Sequence, residues 1–191
     1  MGALSNTRCQ YVRNECPIAL GLLPVGDSLC HINPVYALGL TFSLVHALEL
    51  CEVLRLDPAA DREELPLQYF ARIAPELNER YTLAGALDAI RIRVWQGERV
   101  DFMHRHGCYP WFTFAGAAAV ALDDAEVCRK RLRRMCMLDR LSVFDEDVAL
   151  QERVEELLAR KFAEGPPRQG PSQTELVQFV TESVAPKSAT S

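Results

Sequence analysis

Residues 21–54, GLLPVGDSLCHINPVYALGLTFSLVHALELCEVL, constrain this chain more than any other segment. A short apolar run, Leu22, Leu23, Pro24 and Val25, ends in Gly26-Asp27; an Asn33-Pro34 turn follows, and Gly39-Leu40 opens a long apolar stretch. The order reads as strand, acidic turn, loop, helix. Such a backbone aims the unpaired N–H groups and the positive dipole end of a helix at whatever lies beside the turn, which suits a phosphate or an electron-rich ring. The Asp27 carboxylate adds an acceptor for a sugar-like hydroxyl.

Past this segment the chain reads as helix after helix. Residues 40–55 place Phe42, Val45, Leu48 and Cys51 at helical spacing, with Leu44, Ala47, Leu50 and Leu54 apolar as well, so this helix expects cover on several sides. A second helical stretch is expected over 67–95, broken or restarted at Pro75 and punctuated by Gly97. Residues 111–122, rich in Ala around Gly116, predict a close-packing helix. Asp123-Asp124-Ala125-Glu126 reads as an N-cap with an acidic residue three on, starting a helix over 126–138, and Asp145 as the cap of one over 148–162. Residues 164–172, EGPPRQGPS, have linker composition. Ser172 and Glu175 fit a capping box for a short helix over 173–182, and residues 187–191 are expected to be disordered. The chain thus divides into 1–163, a linker over 164–172, and a short helix and tail over 173–191.

Composition narrows the class. With 49% hydrophobic, 25% charged and 8% aromatic residues, the chain can bury a core. It offers no uncharged apolar run of the roughly 18 residues a membrane span needs, and its first residues lack the apolar centre of a signal peptide; a cytoplasmic location is expected. Seven cysteines, an odd number without a C-x-x-C pair, point to neither a disulfide framework nor a zinc ribbon. His104, His106 and Cys108 alternate, but Arg105 and Gly107 suggest a loop and no fourth ligand is apparent, so no metal is assigned. Arg129, Lys130, Arg131, Arg133 and Arg134 crowd one helix. At a net charge of −5, with Glu152, Glu155 and Glu156 following, they read as a solvated or internally paired face and not as a nucleic-acid surface. His46 and Glu49 share a helix face, where an interior His satisfied by a neighbour is the commoner outcome than acid–base catalysis.

Gly26-Asp27 followed by Asn33-Pro34-Val35-Tyr36-Ala37-Leu38-Gly39-Leu40 resembles the second flavin-contact motif of the FAD-dependent aromatic hydroxylases and related monooxygenases, GD followed by P-x-x-G-x-G. The resemblance implies FAD as cofactor, bound weakly or conditionally. It makes Asp27, after Gly26, the ligand of the ribityl chain, and gives Pro34, Ala37, Leu38, Gly39 and Leu40 places along the loop and helix opening beside the flavin. Ala37 stands where the family has the first Gly of G-x-G; if that position needs positive φ, its Cβ costs about 1–2 kcal/mol.

The family's opening strand and G-x-G-x-x-G loop, which hold the ADP half, have no counterpart. The resemblance therefore covers only the family's C-terminal portion. The expected fold is mainly α with a short strand or hairpin near the N-terminus, a C-terminal fragment of an FAD/NAD(P)-binding α/β fold with the flavin motif at 21–55. In it the run 21–25 would be a strand, pairing with residues 10–13, pairing with another chain, or left exposed. The implied function is part of an FAD-dependent oxidoreductase or monooxygenase, inactive alone, with catalytic residues unassigned. A protein partner or second chain would supply the missing sheet. The alternative is a non-catalytic helical protein-interaction module derived from that fold.

Overall fold

The computed structural model describes residues 5–59, 61–165 and 171–184. It is mainly helical, with four two-residue strands in two small antiparallel sheets. Strand β1 (Thr7–Arg8) pairs with β4 (Cys30–His31), and β2 (Val12–Arg13) pairs with β3 (Cys16–Pro17) across a turn at Asn14 and Glu15, both at positive φ. The long helices are α1 (Gly39–Leu56) and α2 (Glu64–Trp95). Next come α3 (Tyr109–Trp111), a π-helical turn (Phe112–Gly116) and α4 (Ala117–Val120). The series ends with α5 (Ala125–Met135), α6 (Val143–Glu146), α7 (Val148–Lys161) and α8 (Gln173–Val184). The expected linker lies largely outside the described residues, as does the tail beyond 184.

The chain divides into two compact units, one of residues 1–85 with 129–147, the other of 86–128 with 148–191. In the first, Leu29, Ile32, Phe42, Val53, Tyr69, Ile73, Leu77 and Phe144 are buried. In the second, Phe102, Phe112, Ala117, Val120, Val154 and Leu158 are buried, and α4 packs on α7. Gly116 belongs to that packing: a Cβ there would stand 2.5 Å from the Phe102 carbonyl oxygen and 3.2 Å from Leu158.

Local chemistry explains the helix ends. Asp61 Oδ1 accepts the N–H groups of Glu63 and Glu64 at 2.8 and 2.7 Å and starts α2; Asp124 Oδ1 does the same for Glu126 and Val127, both at 3.0 Å, and starts α5. Before α8, the Ser172 N–H donates to Glu175 Oε2 at 2.8 Å while the Glu175 N–H reaches back to Ser172 Oγ at 3.4 Å, the expected capping box. Asp145, expected to cap the 148–162 helix, lies instead inside α6.

Three expectations change. Pro75 leaves the carbonyl of Ala71 without its helical donor, yet α2 continues through it, with Ile73 and Leu77 buried on either side. The run 21–25 is no strand: Gly21 turns at φ +75°, the Pro24 carbonyl accepts from Tyr69 Oη at 2.9 Å, and the Val25 carbonyl accepts from Ser28 Oγ at 2.7 Å. The pairing partner at 12–13 turns to β3 instead. Lastly, Glu152 and Glu155, expected to neutralise the basic residues of α5, are engaged elsewhere. Arg133 pairs with Asp139 at 2.8 Å, while Glu152 and Glu155 hold Arg105. Arg80, buried and paired with Glu76, donates to the carbonyls of Arg134 and Asp139 at 3.0 and 3.3 Å, satisfying acceptors at the end of α5.

Candidate functional site around Asp27

The residues that the sequence singles out gather in the first unit, on the turn before α1 and on the opening of α1. Gly26 begins a single 3₁₀ turn (Gly26–Ser28) that packs against α1. It is buried at φ +58°, and a Cβ built on it would stand 2.1 Å from Ser43 Oγ, so both the backbone angle and the space demand glycine. Asp27 follows with an exposed side chain. Its Oδ2 lies 3.3 Å from His31 Nδ1, and its Oδ1 lies 3.2 Å from where a Cβ on Gly39 would stand. The carboxylate therefore rests against the first residue of α1, and a side chain at 39 would crowd it.

The connecting loop is built as a second 3₁₀ turn (Pro34–Tyr36). Asn33 Oδ1 accepts the Val35 N–H at 3.2 Å, Asn6 Oδ1 accepts the Asn33 N–H at 2.7 Å, and Pro34 presets the turn. Tyr36 is buried and anchors the loop, its hydroxyl donating to the Ala84 carbonyl at 3.4 Å. Ala37 closes the turn in the left-handed region, at φ 55° and ψ 32°, and its N–H returns to the Pro34 carbonyl at 3.0 Å. Leu38 then enters α1 without a side-chain cap hydrogen bond, so the helix's first turn has no side-chain acceptor of its own. Leu40 projects outward, 75% exposed. The structure thus brings Asp27 and Gly39 together beside an uncapped helix start, with Pro34, Ala37 and Leu40 on the exposed rim.

Behind the turn lies a second constellation that sequence reasoning left unassigned. His46 is buried on α1, stacked on Phe42 with ring centroids 5.6 Å apart, and its Nδ1 receives the Gly26 N–H. Burial lowers its pKa from the ordinary histidine value. Tyr69, fully buried on α2, holds Pro24 two residues earlier, and burial pushes its phenol up to about 12. The shared face of His46 and Glu49 was legible from their spacing; the bond across to Gly26 carried no sequence signal.

His46 and Glu49 also line a partly open cavity of about 200 Å³ with Phe42, Val45, Ile73 and Leu77, where Arg72 pairs with Glu49 at 2.5 Å. Neither Asp27 nor the 33–39 loop lines it. Beside Asp27, Cys30 is fully buried; burial raises its thiol to about 11, with Arg8 pulling the other way and Asp27 and Cys9 adding to the rise. Among the described residues, no group of three or more His, Cys, Asp or Glu is placed to hold a metal ion. His104 instead contacts Asp101 at 3.1 Å in a loop. Among the described residues, no helix is long and apolar enough to cross a membrane.

Comparison of the chain with protein-family models, with curated proteins and with solved structures gave no match.

Proposed function

We propose that Gly26, Asp27, Pro34, Ala37, Leu38, Gly39 and Leu40 form the ribityl- and ring-side half of an FAD site of the monooxygenase type, and that this chain takes up FAD weakly or only beside a partner supplying the ADP-binding half. One observation carries the reading: the Asp27 carboxylate lies against Gly39, at the opening of a helix that has no side-chain cap. A hydroxylated chain could donate to Asp27 while the adjoining ring or its phosphate meets the helix start. The donor set fits the group in kind: one exposed carboxylate, a glycine that leaves room beside it, and unpaired N–H groups at the positive end of α1. Ala37 already adopts the left-handed backbone that the family's glycine would favour, at the cost of strain. FAD, when bound, would supply the redox chemistry, and these residues would bind and orient it.

The test is an FAD titration of the full chain followed by flavin fluorescence and absorbance. Uptake that falls at least tenfold in Asp27→Ala supports the site, whereas a wild-type chain that takes up no FAD at millimolar excess sinks it.

A second reading, a non-catalytic helical interaction module, draws on a different observation. Leu40, Leu44 and Leu48 recur at every fourth position of α1 and are 75, 58 and 66% exposed, an apolar stripe of the kind that marks protein contacts. A protein without affinity for FAD, whose association with a partner is lost in Leu44→Glu, would favour this reading.

A further inference from the structure

Two buried side chains from two different helices hold the backbone on either side of Val25. Tyr69 Oη on α2 donates to the Pro24 carbonyl at 2.9 Å, and His46 Nδ1 on α1 accepts the Gly26 N–H at 3.1 Å. Both side chains are at most 2% exposed. They occupy the backbone groups that a strand would have used, and they fix the turn from which Asp27 projects. The His46 contact has a chemical condition that the Tyr69 contact lacks. An imidazole nitrogen accepts only when it carries no proton, so the bond requires neutral His46 with its hydrogen on Nε2.

We propose that His46 is a proton-operated latch on the Gly26–Asp27 turn: neutral, it holds the turn and positions Asp27; protonated, it releases both. Protonation sets an Nδ1–H donor against the Gly26 N–H donor, and two donors facing each other in a buried site repel where one hydrogen bond stood. Gly26 has no alternative position close by, since Ser43 Oγ fills the space behind its α-carbon.

The charged groups around His46 are already engaged. From α1, Glu49 faces the same cavity and is paired with Arg72 of α2; Glu76 of α2 is paired with Arg80; Met137 adds no charge; and on the turn side Asp27 contacts His31. Among the described residues lining the cavity, both carboxylates, Glu49 and Glu76, are already paired with arginine. Burial accordingly lowers the His46 pKa, so the latch is closed at neutral pH and opens only below the ordinary histidine range. His46 lines the cavity and Gly26 does not.

The positioning of Asp27 for FAD rests on the function proposed above, but the latch is measurable without any ligand. Hydrogen exchange of the full chain at low micromolar concentration, read by mass spectrometry on a peptide spanning 22–30 and corrected for intrinsic rates, follows the Gly26 amide from pH 8 to 5. Wild-type protection should fall about tenfold through a midpoint below 6.5, as loss of one buried hydrogen bond implies. His46→Asn, which keeps an acceptor near the Nδ1 position and cannot titrate there, should hold protection flat across the range. His46→Leu should show low protection at every pH; if it fails to fold, the comparison of wild type with His46→Asn still decides. Flat wild-type protection, or the same step in His46→Asn, overturns the latch. FAD titrations at pH 7.5 and 5.5 form a separate arm. Affinity that drops tenfold in wild type and not in His46→Asn extends the latch to the ligand, while absence of FAD uptake at both pH values overturns the proposed function and leaves the exchange result standing.

Discussion

At Gly26 three demands meet on one residue: a positive φ, a neighbour where a side chain would begin, and an N–H committed to His46. Gly26→Ala should therefore lower unfolding stability by about 1–3 kcal/mol in urea denaturation, with part of the loss recovered when Ser43→Gly is added. Ala37 poses the opposite problem, a side chain already present where the backbone is left-handed. Ala37→Gly should raise stability by up to about 1 kcal/mol in the same measurement, the relief of strain being partly offset by the greater freedom of glycine in the unfolded chain. The strain at Ala37 was legible in advance, because the position could be aligned with a glycine-bearing motif. The His46 bond was not: its partner is a main-chain N–H twenty residues away, and no side-chain pattern records where a main-chain donor will point.

Helix α1 shows how much of an element its sequence determines. Its span agrees with expectation to within a residue at each end, since an apolar run between Gly39 and Asp57-Pro58 has clear start and stop signals. Which apolar side chains turn inward was not legible, because nearly every side of the helix is apolar. Phe42 is fully buried and Leu44 is 58% exposed. Phe42→Ala should cost about 3–5 kcal/mol, whereas Leu44→Gln should change stability by no more than about 0.5 kcal/mol, both by urea denaturation. The short strand expected at 21–25 failed for a related reason: strand formation depends on partners elsewhere in the chain, and here Tyr69 and Ser28 side chains hold the Pro24 and Val25 carbonyls.

Asp124 caps α5 within the 123–126 stretch that the sequence marks as a helix start, and it carries a pH consequence. Arg153 beside it and the Val127 and Glu126 N–H groups hold its carboxyl below the usual range. A lowered native pKa means stability that is complete above the ordinary carboxylate value and is lost as pH falls through the lowered one. In thermal melts by circular dichroism, Asp124→Ala should melt below wild type at pH 7, and the gap should narrow below pH 4 as wild type loses the same contribution.

For the molecule as a whole, the net charge of −5 and the sequence pI of about 5.4 set where like-charge repulsion vanishes. The Leu stripe of α1 supplies the attraction that remains, so turbidity at tens of micromolar should peak near pH 5.4 and decline in Leu44→Lys. Helical character at this scale was legible, since periodicity is written locally. The division into two units was not, because each unit is assembled from two separated stretches of chain, and α2 and α5 each contribute to both.

Cys30 turns this architecture into a clock. Its thiol is sealed in β4 and held protonated by burial, whereas Cys9, Cys16, Cys51 and Cys136 are exposed. An alkylating reagent would consume those four first and reach Cys30 only during excursions that expose its buried thiol. In a variant retaining Cys30 as its single cysteine, the labelling rate would count those excursions directly, timing the breathing of the region around Asp27 without a ligand, a chromophore or an assay of activity.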